Sequence, residues 1–316
     1  MILATLAIIF GIGLIWVSAE KLERYSVLAA RLFGFSPFFI GSTVIAFGTS
    51  APEMLTTLFV SIENKGSMVI GNVIGSNVAN LSLVFGSMLF IVSIRKFSIK
   101  QDTNVQSNLL ILLLSSLLIW LIISLKPFII WSSLVLLITL FFVILFWYKN
   151  GVSEEIEEET IANQDGVPLR LFLSLVFLVF AAWLITYGAN QILDQFNLGQ
   201  LFIGYTVLAI GTSLPEIAAS ISLALKGRYE TVTGTLIGSN IFNGLCVLAI
   251  PGLFMRPEMS LGWSYSEWIP LLIALFIITF VFASYIFLIS KEEKKASLTL
   301  SLLFLSAYFI SLYFAY

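Results

Sequence analysis

The sequence predicts an all-α membrane protein: ten transmembrane helices forming two inverted five-helix repeats, with helices 2 and 7 broken. Three observations predict it. Of 316 residues, 59% are hydrophobic and 11% charged, against about 45–50% and about 25% in soluble domains. Ten apolar stretches are each long enough to cross a hydrocarbon core, which takes about 20 residues per helix. A pair of polar motifs occurs twice at a constant spacing.

The stretches are 1–18, 36–61, 67–93, 105–125, 128–148, 169–191, 199–226, 231–254, 266–289 and 297–315. Membrane β-strands alternate apolar and polar residues. Runs such as Leu109 to Ile123 do not alternate, so the spans are helical. The first stretch lacks a basic start and is too long for a signal-peptide core, so it is expected to be retained. Basic residues mark the cytoplasmic side of a membrane protein. Threading ten spans sorts thirteen of the 16 basic residues, among them Lys21, Arg24, Arg31, Arg95, Lys149, Arg170, Lys226 and Lys294, to one side. Only Lys65, Lys126 and Arg256 fall on the other. Both termini are therefore expected outside, in the cell membrane. Trp16, Trp147, Trp263 and Trp268 lie near span ends and are expected to anchor the interface.

Composition also excludes functions. With 16 basic and 18 acidic residues the net charge is −2, which offers nucleic acid no basic surface. The chain has no histidine, which removes His-ligated zinc or haem, Ser-His-Asp hydrolysis and a histidine proton relay. A single cysteine, Cys246, cannot form an intramolecular disulfide. No cofactor, no catalytic residue and no obligatory protein partner are expected; the lipid bilayer is the surrounding partner.

Residues 41–53, GSTVIAFGTSAPE, match residues 204–216, GYTVLAIGTSLPE, at nine of thirteen positions, with an offset of 163. The same offset relates GNVIGSNVAN at 71–80 to GTLIGSNIFN at 234–243. The motifs fall on spans two and three, then on seven and eight. Each unit thus has five spans, and an odd number forces the second copy to enter the membrane inverted. The first repeat is 1–150 and the second 169–316. Between them, 151–168 carries Glu154, Glu155, Glu157, Glu158 and Glu159 and is expected to be a solvated cytoplasmic connector.

Of 18 acidic residues, only Glu53 and Glu216 lie well inside apolar segments, and they are repeat mates. A carboxylate at the membrane centre costs about 2.5–3.5 kcal/mol on insertion scales, so its default reading is functional. Thr49 and Ser50 share a helix face with Glu53, as do Thr212 and Ser213 with Glu216. Pro52 and Pro215 have no N–H for the carbonyls of Gly48 and Gly211. Each motif is therefore expected to be a broken turn with backbone carbonyls free. Ser76, Asn77 and Asn80, repeated as Ser239, Asn240 and Asn243, add side-chain oxygens from spans three and eight. Carboxylates, hydroxyls and carbonyls are hard ligands, suited to Ca²⁺ and Na⁺ rather than copper or zinc. Two carboxylates balance one Ca²⁺. Left empty, they repel each other in a low dielectric, so Na⁺ or H⁺ must replace the departing Ca²⁺. The glycines at 71, 75, 234 and 238 are expected to serve close helix packing.

At these motifs the chain resembles the sodium/calcium exchanger branch of the calcium/cation antiporter superfamily, prokaryotic type. The resemblance implies alternating-access exchange of Ca²⁺, normally moved outward, for several Na⁺, with spans one and six sliding on a rigid bundle. It implies that Glu53 and Glu216 are shared carboxylates and that Thr49 and Thr212 give carbonyls to Ca²⁺. It places Ser50, Ser213, Ser76 and Ser239, with carbonyls of Ala46 and Ala209, at Na⁺ sites, and Asn80 between them. Asn243 departs from relatives that carry Asp there, potassium-dependent ones included, which argues against potassium dependence. The alternative is a calcium/proton antiporter, or exchange of another divalent cation; that branch typically has Gly-Asn-x-x-Glu where this chain has Gly-Thr-Ser-x-Pro-Glu. An intramembrane acid protease using the two Glu residues, or a passive channel, has only the carboxylates in its favour.

Overall fold

Every predicted apolar stretch contains a helix. The computed structural model describes residues 2–95, 98–99, 105–125, 128–150, 166–193, 200–254, 268–291, 294–295 and 297–315. Its helices, some with internal irregular turns, are α1 (Ile2–Phe33), α2 (Pro37–Ile62), α3 (Gly66–Ile94), α4 (Val105–Leu125) and α5 (Ile130–Asn150). Then follow α6 (Val167–Leu193), α7 (Leu201–Leu225), α8 (Tyr229–Phe254), α9 (Ile269–Lys291) and α10 (Leu298–Ala315). Eight of the helices are long and apolar enough to cross a membrane among the described residues; Val167–Ala181 and Leu298–Phe314 are shorter apolar helices. Large apolar side chains such as Leu6, Phe10, Leu114, Phe142 and Leu302 face outward. Such a surface suits hydrocarbon rather than water, and the chain is an integral, multi-pass membrane protein.

The first helix corrects the predicted boundary at residue 18. It runs on to Phe33. Gly34 then turns the chain with φ +68, and Ser36 caps α2, its hydroxyl accepting the Phe39 N–H at 3.1 Å ahead of Pro37. Charged residues 20–24 mark the end of the apolar run without ending the helix, because an exposed helix surface carries charge at no cost. The acidic connector, residues 151–165, lies outside the described residues, and α6 already starts at Val167.

Basic residues that the sequence sorts to one side lie together at one end of the bundle. Arg95 Nη1 donates to the Leu225 carbonyl at 3.5 Å, and the Arg170 guanidinium sits 6.0 Å over the Tyr25 ring. The α3–α4 and α9–α10 connections meet as a two-residue antiparallel ladder, β1 (Ser98–Ile99) with β2 (Lys294–Lys295). Glu20 and Lys226 line one small cavity between α1 and α7.

At the centre, α2, α3, α7 and α8 are packed backbone to backbone. A Cβ on Gly41 would meet the Thr231 carbonyl, and one on Gly204 would meet the Met68 carbonyl. A Cβ on Gly75 would meet the Tyr205 carbonyl and the Ala209 side chain; one on Gly238 would meet Ser42 and Ala46 in the same way. Each contact maps onto the other through the offset of 163, so the two repeats clasp each other reciprocally. The expectation that these glycines serve close packing is met. α1 packs chiefly along α6 and, more lightly, against α7.

Two of the four tryptophans depart from the predicted interface role. Trp147 is 3% exposed and donates its Nε1–H to Asn108 Oδ1 at 2.8 Å, tying α5 to α4. Trp268 is also buried, whereas Trp16 is 59% exposed. Trp263 lies outside the described residues.

Candidate cation-binding site

The two motif helices share an unusual build. α2 opens as an α-turn, widens into a π-turn over Gly41–Ile45, and returns to α over Ala46–Thr49. It bends at Ser50 (φ −81, ψ 0) and resumes at Ala51–Ile62 with Pro52 in its first turn. α7 repeats this: a π-turn at Gly204–Leu208, a bend at Ser213 (φ −80, ψ 1), then Leu214–Leu225 with Pro215. A proline is accommodated in a first turn, where its missing N–H is no loss. The break is thus confined to one residue, narrower than the open turn the sequence suggested. The Ala46 carbonyl accepts the Ser50 N–H at 3.0 Å and the Thr49 hydroxyl at 3.3 Å. The Ala209 carbonyl accepts the Ser213 N–H at 3.0 Å and the Thr212 hydroxyl at 3.5 Å.

Each bend opens a helix whose first turn holds a glutamate, so the positive end of the helix dipole faces the carboxylate. Glu53 and Glu216 are both 0% exposed. Their hydroxyl partners are crossed between repeats. Ser50 Oγ donates to Glu216 Oε1 at 3.4 Å, and Ser213 Oγ donates to Glu53 Oε1 at 3.5 Å. The Thr212 hydroxyl donates to the Leu208 carbonyl at 2.9 Å, and the Thr49 hydroxyl lies 3.4 Å from Ser239 Oγ. Ser50 stands one turn before Glu53 and bonds Glu216, and Ser213 does the reverse, so the two carboxylates are neighbours. One oxygen of each, Oε2, has no partner among the described residues.

All twelve residues singled out from the sequence are buried in this centre, each at most 1% exposed. The structure pairs Ser50 with Glu216, Ser213 with Glu53 and Thr49 with Ser239, each pair spanning the two repeats, whereas the Thr212 hydroxyl bonds its own helix. Ser76 Oγ and both amide atoms of Asn80 and of Asn243 have no hydrogen-bond partner among the described residues. Buried polar groups are ordinarily paired, so these atoms suit a ligand. Asn77 ties α3 to α8, its Nδ2 donating to the Asn240 carbonyl at 3.3 Å, while Asn240 Nδ2 donates within α8 to the Leu236 carbonyl at 2.8 Å; the Oδ1 of each has no partner among the described residues. No cluster of three or more His, Cys, Asp or Glu occurs among the described residues. A cation here would meet two carboxylates and otherwise neutral oxygens, a donor set for Ca²⁺ or Na⁺.

The sequence reading passed over Thr57 and Asn72. Thr57 is one turn beyond Glu53, and Asn72 one turn before Ser76, on the same faces. Asn72 Nδ2 donates to Thr57 Oγ1 at 3.3 Å, and both residues are buried. Continuing the polar stripes by four residues would have found them.

A helical membrane bundle, two clasped repeats and a buried pair of mated carboxylates define the class: an integral membrane protein with an acidic centre whose oxygens suit a hard cation. The chain belongs to the sodium/calcium exchanger protein family, which it matches over residues 3–149 and 167–316. It is similar to the membrane protein MJ0091 of Methanocaldococcus jannaschii, 32% identical over 308 residues that cover 96% of this chain and 95% of that one. It is similar to the sodium/calcium exchanger MaX1 of Methanosarcina acetivorans, 26% identical over 338 residues, 88% of this chain and 91% of that one. Among solved structures it resembles the sodium-calcium exchanger NCX_Mj soaked with Na⁺ and Sr²⁺, with a TM-score of 0.81 at 30% identity, over 99% of this chain and 98% of that chain.

Proposed function

We propose that the protein is a sodium/calcium antiporter that moves Ca²⁺, normally outward, against several Na⁺ by alternating access. The observation that carries this reading is the crossed pair: each buried glutamate takes a hydroxyl from the other repeat. Ca²⁺ between Glu53 and Glu216 neutralises both carboxylates. When it leaves, two buried, neighbouring negative charges remain, and reorientation is disfavoured until Na⁺ replaces it. Thr49 and Thr212 serve Ca²⁺ through their carbonyls. Ser50, Ser213, Ser76 and Ser239, with the Ala46 and Ala209 carbonyls, serve Na⁺, and Asn80 and Asn243 lie between them. The amide of Asn243 carries no charge, so potassium has no third carboxylate to bind.

The chain crosses the membrane ten times as two inverted repeats of five, 1–150 and 169–316, joined by a cytoplasmic connector at 151–168, with both termini outside the cell membrane. Support comes from the reciprocal glycine clasps and from the gathering of Arg95, Leu225 and Lys294 at one end. Repeat mates then face opposite sides, and one site can open to either.

Sodium-loaded right-side-out vesicles, diluted into sodium-free buffer at fixed pH with radiolabelled Ca²⁺, test the reading. Uptake should require the sodium gradient, ignore potassium, and fall more than about 100-fold in Glu53→Gln or Glu216→Gln, since each leaves a divalent ion half-neutralised. Uptake driven by a pH gradient alone would replace the sodium reading with proton antiport. Uptake with no gradient would indicate a channel.

A further inference from the structure

The polar faces of α2 and α3 do not stop at the glutamate. On α2, Glu53, Thr57 and Ser61 stand one turn apart on one face, each at most 1% exposed. On α3, Asn80, Ser76 and Asn72 do the same, and all are buried. The hydrogen bond from Asn72 Nδ2 to Thr57 Oγ1, 3.3 Å, fixes the register of these antiparallel neighbours. One turn back along both helices, that register sets Ser76 level with Glu53. The Asn72–Thr57 pair therefore sits one turn, about 5.4 Å, from the glutamate, toward the Asn64 turn. Among the described residues Asn72 Oδ1 has no partner, and neither has Ser76 Oγ nor Asn80 Oδ1. Side-chain oxygens without protein partners thus occur on three successive turns of α3, ending at Asn72.

The second repeat lacks this extension. Thr235 stands where Asn72 stands, and its hydroxyl is spent on the Thr231 carbonyl of its own helix at 2.9 Å. Ser220 replaces Thr57, and Ala224 replaces Ser61. At that level α8 offers no amide oxygen, and the Ser220 hydroxyl stands alone, without a partner among the described residues.

We propose that Asn72 and Thr57 form a transit site for the transported cation, one turn from Glu53 on the side of the Asn64 turn, with no equivalent amide–hydroxyl pair on the other side. The site rests on the exchanger reading above, in which the Asn64 turn is external. The amide oxygen of Asn72 and the hydroxyl oxygen of Thr57 replace part of a hydration shell. Both are neutral, so they hold Ca²⁺ or Na⁺ weakly and release it to Glu53. A path works when its stations are attractive enough to enter and weak enough to leave.

The consequence is a one-sided change in ion affinity. Calcium-dependent exchange should be measured in right-side-out and in inverted vesicles for wild type, Asn72→Ala and Asn72→Asp. Asn72→Ala should raise the half-saturating Ca²⁺ at the external face by about fivefold, the worth of one hydrogen-bond-strength ligand, and leave the cytoplasmic face unchanged. Asn72→Asp keeps the shape and adds charge; it should lower the external half-saturating concentration and slow the maximal rate, because the ion now lingers. Asn72→Thr, which installs the residue of the repeat mate, should lie between Ala and wild type at the external face. Equal changes at both faces, or none at either, overturn the transit site while the exchange measured in the same vesicles stands. A folding defect would lower the amount of active protein and the maximal rate on both faces alike, without separating the two affinities.

Discussion

The α2–α3 pair and the α7–α8 pair carry nearly the same motifs and hold them differently. Ser239 is engaged, 3.4 Å from the Thr49 hydroxyl; its mate Ser76 has no partner among the described residues. Beyond the asparagines the helices diverge. From Asn80 the chain widens into a π-turn, Asn80–Val84, and continues to Ile94. From Asn243 it reaches Cys246 and tightens into a 3₁₀ turn, Val247–Ala249, in which the Ala249 N–H donates to the Cys246 carbonyl at 3.1 Å. Pro251 explains the tightening. It stands where α3 has Met88, and it has no N–H for the Val247 carbonyl. The lesson is that a duplicated motif keeps its charged centre while its supports drift apart, so the two halves of the site are chemically alike and mechanically distinct.

The comparison can be broken hardest at the clasp. Gly75→Ala and Gly238→Ala each drive a methyl against backbone of the other repeat. Both should destabilise the fold by about 1–3 kcal/mol, to a similar extent, read as a lowered midpoint of thermal unfolding in detergent. A large difference between them would show that the clasp is not reciprocal.

Serine truncation sharpens the contrast between the half-sites. Ser239→Ala removes a buried hydroxyl with a partner and should cost about 1 kcal/mol of stability. Ser76→Ala removes a hydroxyl with none and should leave unfolding unchanged while weakening sodium dependence of calcium uptake. Equal stability losses would erase the asymmetry.

The smallest effect belongs to the turns. Asn64 and Gly227 are repeat mates, and both adopt positive φ, +57 and +73. Asn tolerates this conformation and Gly prefers it. Asn64→Gly should therefore shift stability by less than about 0.5 kcal/mol, whereas Gly227→Ala should cost about 1 kcal/mol. Paired unfolding curves check both.

Much of this architecture was legible in the residues themselves. A buried carboxylate in an apolar run is costly enough to announce itself, and its repetition at one offset located Glu53 and Glu216. Glycines four apart, at 71 and 75, likewise pointed to close packing. Other features left weaker marks. The π-turn of GSTVI has the same composition as an ordinary helical turn, because it differs only in which carbonyl each N–H chooses. The extension of α1 to Phe33 is invisible to a hydropathy argument, which registers where lipid ends and not where helix ends. Trp147 looked like an interface anchor because the sequence cannot show that Asn108 waits for its N–H. Thr57 and Asn72 went unnoticed because a hydroxyl or an amide in a membrane helix is common, and only their hydrogen bond fixes the register that aligns them with the site.

The glycine clasp also bears on biogenesis. Residues 41, 71 and 75 rest against the backbone of 201–205 and 231–235, segments made well over a hundred residues later. While the first repeat is newly inserted, these grooves have only lipid or one another to lie against. The protein cannot mature half by half; its centre closes only when the second copy arrives, and the two halves expressed as separate chains should each need the other to survive.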